Sequence, residues 1–210
     1  ENSIIYDSAG MNLQEVIDVM KRAHSQGKHV ARVHTGDPSI YGAIREQMDS
    51  LDKLEIPFEV IPGVSSFTAS SAVLKRELTL PGASQTIIIT RAEGRTPVPE
   101  GEDLKSLAKA KATMVIFLSV DKIQKVTKDL AREYSSKTPV AVVYKATWED
   151  QRIVRGTLKN IAQRVEEEGI KKTALILVGD FLGDEYEYSK LYDKAFTHGY
   201  RQGTEQGEGQ

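Results

Sequence analysis

Apolar positions along this chain switch repeatedly between helical and strand spacing. Leu13, Val16, Ile17 and Met20 recur at the helical period and Gly27 follows as a stop, which predicts a first helix. His29 to His34 is rich in strand formers and leads into Thr35-Gly36-Asp37-Pro38, after which a helical pattern runs from Ile40 to Leu51. Phe58-Glu59-Val60-Ile61 repeats this unit, entering Pro62-Gly63-Val64-Ser65-Ser66 and then a helix through Leu74. Ser3 to Tyr6 is long enough only for an edge strand. Leu78 to Ser84, with Pro81 and Gly82, reads as a linker. Beyond it, Thr86–Thr90, Thr113–Leu118 and Ala174–Val178 are continuous apolar runs suited to strands buried on both faces. Val140–Tyr144 and Gln151–Arg155 flank a short connection and predict an antiparallel pair, and helices are expected from Asp121 to Tyr134 and from a Thr157 cap to Glu168. Strand–turn–helix units in series predict an α/β fold of mostly parallel sheets flanked by helices. The expected divisions are residues 1–80, residues 81–185 and a polar, aromatic tail over 186–210 whose Gly203–Gln210 end has the composition of a disordered segment.

Composition narrows the chemistry. A length of 210 residues, 40% hydrophobic and 28% charged, suits a globular chain of one large or two small domains. No apolar run approaches the roughly 20 residues of a membrane span, and the start has neither the basic nor the apolar part of a signal peptide. These features predict a cytoplasmic protein. The absence of cysteine removes disulfides and thiolate chemistry, and the four histidines have no ligand spacing, so no protein-held metal is expected. A net charge of −2 argues against nucleic acid as partner, so an anionic small molecule needs a local basic patch.

Two turns stand where strands are predicted to give way to helices, the edge at which open α/β sheets bind ligands. Asp37 can accept from the amide of Ser39 or Ile40, and Gly36 lets backbone come close. Ser65 and Ser66 can cap a helix or hold a carboxylate or ribose. Arg91 and Arg95 lie in a long loop after a buried strand, where guanidiniums either clamp carboxylates or pair with Glu93 in solvent. Trp148 walls a planar ligand or sits half-buried in a hairpin; the residues favour neither. No Rossmann, P-loop or acyl-transfer signature is present.

Taken in order, Thr35-Gly36-Asp37-Pro38, Pro62-Gly63-Val64-Ser65-Ser66, the strand ending at Leu118 and Tyr144-Lys145-Ala146-Thr147 resemble the tetrapyrrole methylases, two-domain enzymes that use S-adenosylmethionine (SAM). The arginine loop Thr90–Pro97 and the tail Ser189–His198 resemble the branch that methylates carbon 11 of precorrin-4 or cobalt-precorrin-4 in cobalamin synthesis. The resemblance implies a SAM cleft between the domains, with Thr35, Gly36, Asp37, Ile40, Ser65 and Ser66 along the cofactor and Leu118, Ala146 and Ala174 around its adenine. It implies Arg91, Arg95 and Lys145 as contacts to the substrate's carboxylate arms, a corrinoid substrate and a homodimer, and it assigns no general base. Another precorrin or uroporphyrinogen methylase, or a silent SAM- or corrinoid-binding protein, are the alternatives. The family's opening strand and Gly-x-Gly-Pro-Gly-Asp loop do not occur in the 210 residues, which predicts an unpaired sheet edge near Val33, Val60 and Ile61.

Overall fold

The structure, a computed structural model, describes residues 3–204, so the tail from 205 to 210 lies outside the described residues. Two compact units divide at Ser66 and Phe67.

The first unit contains two helices. Helix α1 (Leu13–Ser25) starts at a reciprocal cap, in which the Glu15 amide donates to Asn12 Oδ1 at 3.0 Å and the Asn12 amide donates to Glu15 Oε2 at 2.7 Å. Gly27, at φ 67°, follows its end as the spacing predicts. Helix α2 (Arg45–Lys53) begins later than the predicted Ile40, because Tyr41 and Ala43 take left-handed φ values of 55° and 49°, incompatible with a continuous α-helix. Ile17 and Met20 of α1 pack against Leu51 of α2.

The predicted strands at Ser3–Tyr6, His29–His34 and Phe58–Ile61 are absent from the ladders of the described residues. Their composition favours an extended chain, but a strand exists only when a neighbour takes its amides and carbonyls. Val33 and Ile61 are 78% and 73% exposed.

The second unit carries helix α3 (Ser66–Leu74) from Phe67 onward, strand β1 (Ile87–Arg91), helix α4 (Leu104–Ala108), β2 (Thr113–Phe117), α5 (Ile123–Leu130), β3 (Pro139–Tyr144), β4 (Arg152–Thr157), α6 (Ile161–Glu167) and β5 (Ala174–Val178). The strands form one sheet in the order β1-β2-β5-β3-β4. Only β1 and β2 run parallel, while β2–β5, β5–β3 and β3–β4 are antiparallel. The sheet is therefore mixed rather than mostly parallel. Burial on both faces gives the same unbroken apolar run whichever way a neighbour points, so the sequence pattern could not separate the two cases.

Alternation divides the core between the two faces. Met114, Ile116, Val140, Val142, Ile176 and Val178 join a cluster that includes α5 and α6 residues, while Val115, Ala141, Val143, Leu175 and Leu177 join Phe181 and Leu74. Thr157 ends β4 instead of capping α6, whose cap position is Asn160; Asn160 Oδ1 accepts from the Thr157 amide at 2.8 Å. The segment read as a linker packs closely, since Leu78 is buried and its carbonyl accepts from Thr113 Oγ1 at 2.9 Å. That packing, with Leu74 and Leu78 in the second cluster, draws α3 into the second unit.

Candidate functional site

Each unit gathers one group of the residues singled out in the sequence. In the first, Thr35-Gly36-Asp37 and Gly63-Val64-Ser65-Ser66 are held together by Asp37. Its Oδ1 accepts from the Ser39 amide at 2.8 Å and from the Ser39 hydroxyl, and its Oδ2 accepts from the Gly63 amide at 2.9 Å. These bonds, the Ser39 hydroxyl first, hold the Asp37 carboxyl below its ordinary pKa. Asp37 therefore caps a single turn, closed by the Ile40 amide on the Asp37 carbonyl at 3.2 Å, and also clips that turn to a second one.

The glycines let the two turns meet. Gly36 is left-handed at φ 69°, and a Cβ there would lie 3.5 Å from the Ser65 Cα, an ordinary contact. A Cβ on Gly63 would lie 2.1 Å from the Gly36 carbonyl oxygen, so the close backbone approach is made by Gly63. Sequence reasoning gave Gly36 close approach to a ligand and did not foresee the turn-to-turn packing, whose signal was the Pro62-Gly63 pair. Ser65 is buried and Thr35, Gly36 and Ser66 are exposed. Nearby, burial and then the Arg32 charge lower the pKa of His34 and favour its neutral form.

In the second unit the candidates collect at one end of the sheet. Arg91 at the end of β1 pairs with Phe117 at the end of β2, Ala174 at the start of β5 pairs with Tyr144 at the end of β3, and Tyr144 pairs with Arg152. Leu118, Lys145 and Ala146 continue from these positions, so one rim carries Arg91, Leu118, Ala174, Lys145 and Ala146. The Lys145 amide donates to the Thr173 carbonyl at 3.0 Å and links the two central strands there.

Charges on this rim differ in how far they are already used. The Arg91 guanidinium donates to the carbonyls of Thr96 and Pro97 at 3.1 and 2.7 Å and so folds its own loop. Lys145 Nζ donates to Asp150 Oδ2 at 2.5 Å and lies 5.2 and 5.4 Å from the ring centres of Tyr144 and Trp148. The Asp150 bond, with Tyr144 next, raises the Lys145 pKa, and the same bond lowers that of Asp150. Arg95 is exposed in the same loop as Arg91 and has no ion pair among the described residues. Among the described residues no cluster of histidine, aspartate and glutamate is arranged to hold a metal ion.

A mixed α/β sheet whose strand ends bring charged and apolar side chains to one rim suits a small-molecule enzyme. The chain belongs to the family Tetrapyrrole (Corrin/Porphyrin) Methylases, which it matches over residues 2–162. It is 63% identical over 203 residues to a cobalt-precorrin-4 C(11)-methyltransferase of Methanocaldococcus jannaschii, covering 96% of this chain and 78% of that protein. The fold is similar to the X-ray structure of a cobalamin biosynthetic enzyme, cobalt precorrin-4 methyltransferase, at TM-score 0.83 and 48% identity, covering 85% of this chain and 75% of the other. A uroporphyrin-III C-methyl transferase from Thermus thermophilus, solved in complex with S-adenosyl homocysteine, matches at TM-score 0.65 and 26% identity over 80% of this chain and 71% of its own.

Proposed function

We propose that this chain transfers a methyl group from SAM to carbon 11 of precorrin-4 or cobalt-precorrin-4 in cobalamin synthesis. The observation that carries the reading is the 63% identity, across nearly the whole chain, to a protein of that name.

The residues suit the cofactor. In the first unit the clipped turns bring together Thr35, Gly36, Asp37, Ile40, Ser65 and Ser66 for its polar parts, and in the second unit Leu118, Ala146 and Ala174 give apolar or small surface for its base. SAM, when bound, supplies an electrophilic methyl on a sulfonium whose departure needs no acid. The work left to the protein is to orient the acceptor carbon and exclude water, so no side chain is assigned as base. Asp37 fixes the shape of the polar turns. Arg95 has its guanidinium available for a carboxylate arm of the substrate, Arg91 shapes the loop that carries it, and Lys145, a third cation at the rim, is paired with Asp150.

We further propose a cytoplasmic homodimer without nucleic-acid partner or resident metal. No helix of the described residues is long and apolar enough to cross a membrane.

Calorimetric titration with S-adenosylhomocysteine, then turnover of cobalt-precorrin-4 and precorrin-4 with SAM, tests the activity. The expected product carries one new methyl, located at carbon 11 by NMR. Transfer to another carbon, or binding without transfer, overturns it. Sedimentation velocity tests the dimer.

A further inference from the structure

Nine non-glycine residues among those described have positive φ, and four of them lie at the rim of the sheet: Leu118 at 51°, Lys145 at 47°, Thr147 at 70° and Thr173 at 56°. Left-handed backbone is costly for bulky and β-branched residues and concentrates at ligand sites. The strained residues occupy the end of β2, the entry to β5 and the connection from β3 to β4. Two large apolar side chains stand exposed there, Leu118 at 68% and Trp148 at 58%.

Trp148 is held in place although it is exposed. Its amide donates to the Lys145 carbonyl at 3.0 Å, its carbonyl accepts from the Gln151 amide at 3.1 Å, and Lys145 Nζ lies 5.4 Å from its ring centre. Asp150 pairs with that ammonium at 2.5 Å. An exposed indole held at the sheet rim suits the face of a flat ring.

We propose that Trp148 is the stacking wall for the purine ring of the nucleoside cofactor, and that Lys145 is a positioning residue that orients the indole. This rests on the methyltransferase reading above, from which the purine follows.

Trp148 is the only tryptophan of the chain, so tryptophan emission reports on this indole alone. Titration of the full chain with S-adenosylhomocysteine should quench the emission saturably, with the midpoint found by calorimetry. Trp148→Ala should raise the dissociation constant about 5- to 150-fold, in line with base–aromatic stacking, and Trp148→Phe should recover most of the loss. S-ribosylhomocysteine, which lacks the purine, should bind wild type and Trp148→Ala equally and leave the emission unchanged. Lys145→Met should shift the emission of the free protein and weaken S-adenosylhomocysteine less than Trp148→Ala does. Binding with unchanged emission, or an unchanged dissociation constant in Trp148→Ala, overturns the proposal alone. Failure of wild type to bind S-adenosylhomocysteine overturns the methyltransferase reading as well.

Discussion

Gly63 and Gly36 lie against each other yet should respond differently to substitution. A methyl at Gly63 meets a carbonyl oxygen at 2.1 Å, and backbone must move to admit it. At Gly36 the space is ordinary and the cost is the left-handed φ, about 1–2 kcal/mol. Gly63→Ala should therefore lose S-adenosylhomocysteine affinity far more than Gly36→Ala, with thermal unfolding showing a modest stability loss in the latter. Equal behaviour would mean the turns do not depend on their close approach. The clip makes a second prediction. Because folding lowers the Asp37 pKa, its contribution is complete above the unfolded value near 3.9 and disappears as pH falls through the folded value. Stability measured from pH 7 downward should fall more steeply in wild type than in Asp37→Asn over that acid range.

Among the elements, the connection after α5 depends on one hydroxyl. Tyr134 is buried and donates to the Ala112 carbonyl at 2.5 Å, anchoring that connection to the start of β2. Burial, aided by the charge of Asp180, pushes its pKa up to about 12. A raised acid pKa means that the unfolded chain releases its proton first, so the contribution holds below pH 10 and is lost as pH rises toward 12. Tyr134→Phe should cost about 1–3 kcal/mol at neutral pH by leaving the carbonyl unpaired, and should soften the alkaline fall in stability. Chemical unfolding at pH 7 and pH 11 measures both.

At the scale of the whole molecule, pairing decides which apolar segments are protected. β5 has a strand on each side, whereas His29–His34 and Phe58–Ile61 pair with none among the described residues. Hydrogen exchange should be slow at Ile176 and Leu177 and fast at Val33 and Val60, whatever their similar strand propensity. Slow exchange at Val33 and Val60 would require a pairing partner in solution. The basic loop carries the other prediction at this scale. If Arg95 meets a substrate carboxylate, Arg95→Ala should weaken the tetrapyrrole by roughly 1.5–3 kcal/mol while S-adenosylhomocysteine affinity stays constant. Parallel loss of both would mark the loop as structural.

Local chemistry settled much of this protein in advance. Continuous apolar runs placed β1, β2, β3 and β5, helical spacing and a glycine stop placed α1, and the order of the turn motifs pointed to the tetrapyrrole methylases. These features depend on neighbours a few residues away, which is what a sequence records directly. Strand direction, the lack of a ladder at His29–His34 among the described residues and the engagement of Arg91 with its own loop depend on which distant backbone or carbonyl lies alongside. Side-chain period is the same for parallel and antiparallel neighbours, and a guanidinium in a loop looks the same whether it faces solvent, a carbonyl or a ligand. The rim of left-handed residues belongs to the same class, because separate strand ends come together only when the sheet forms.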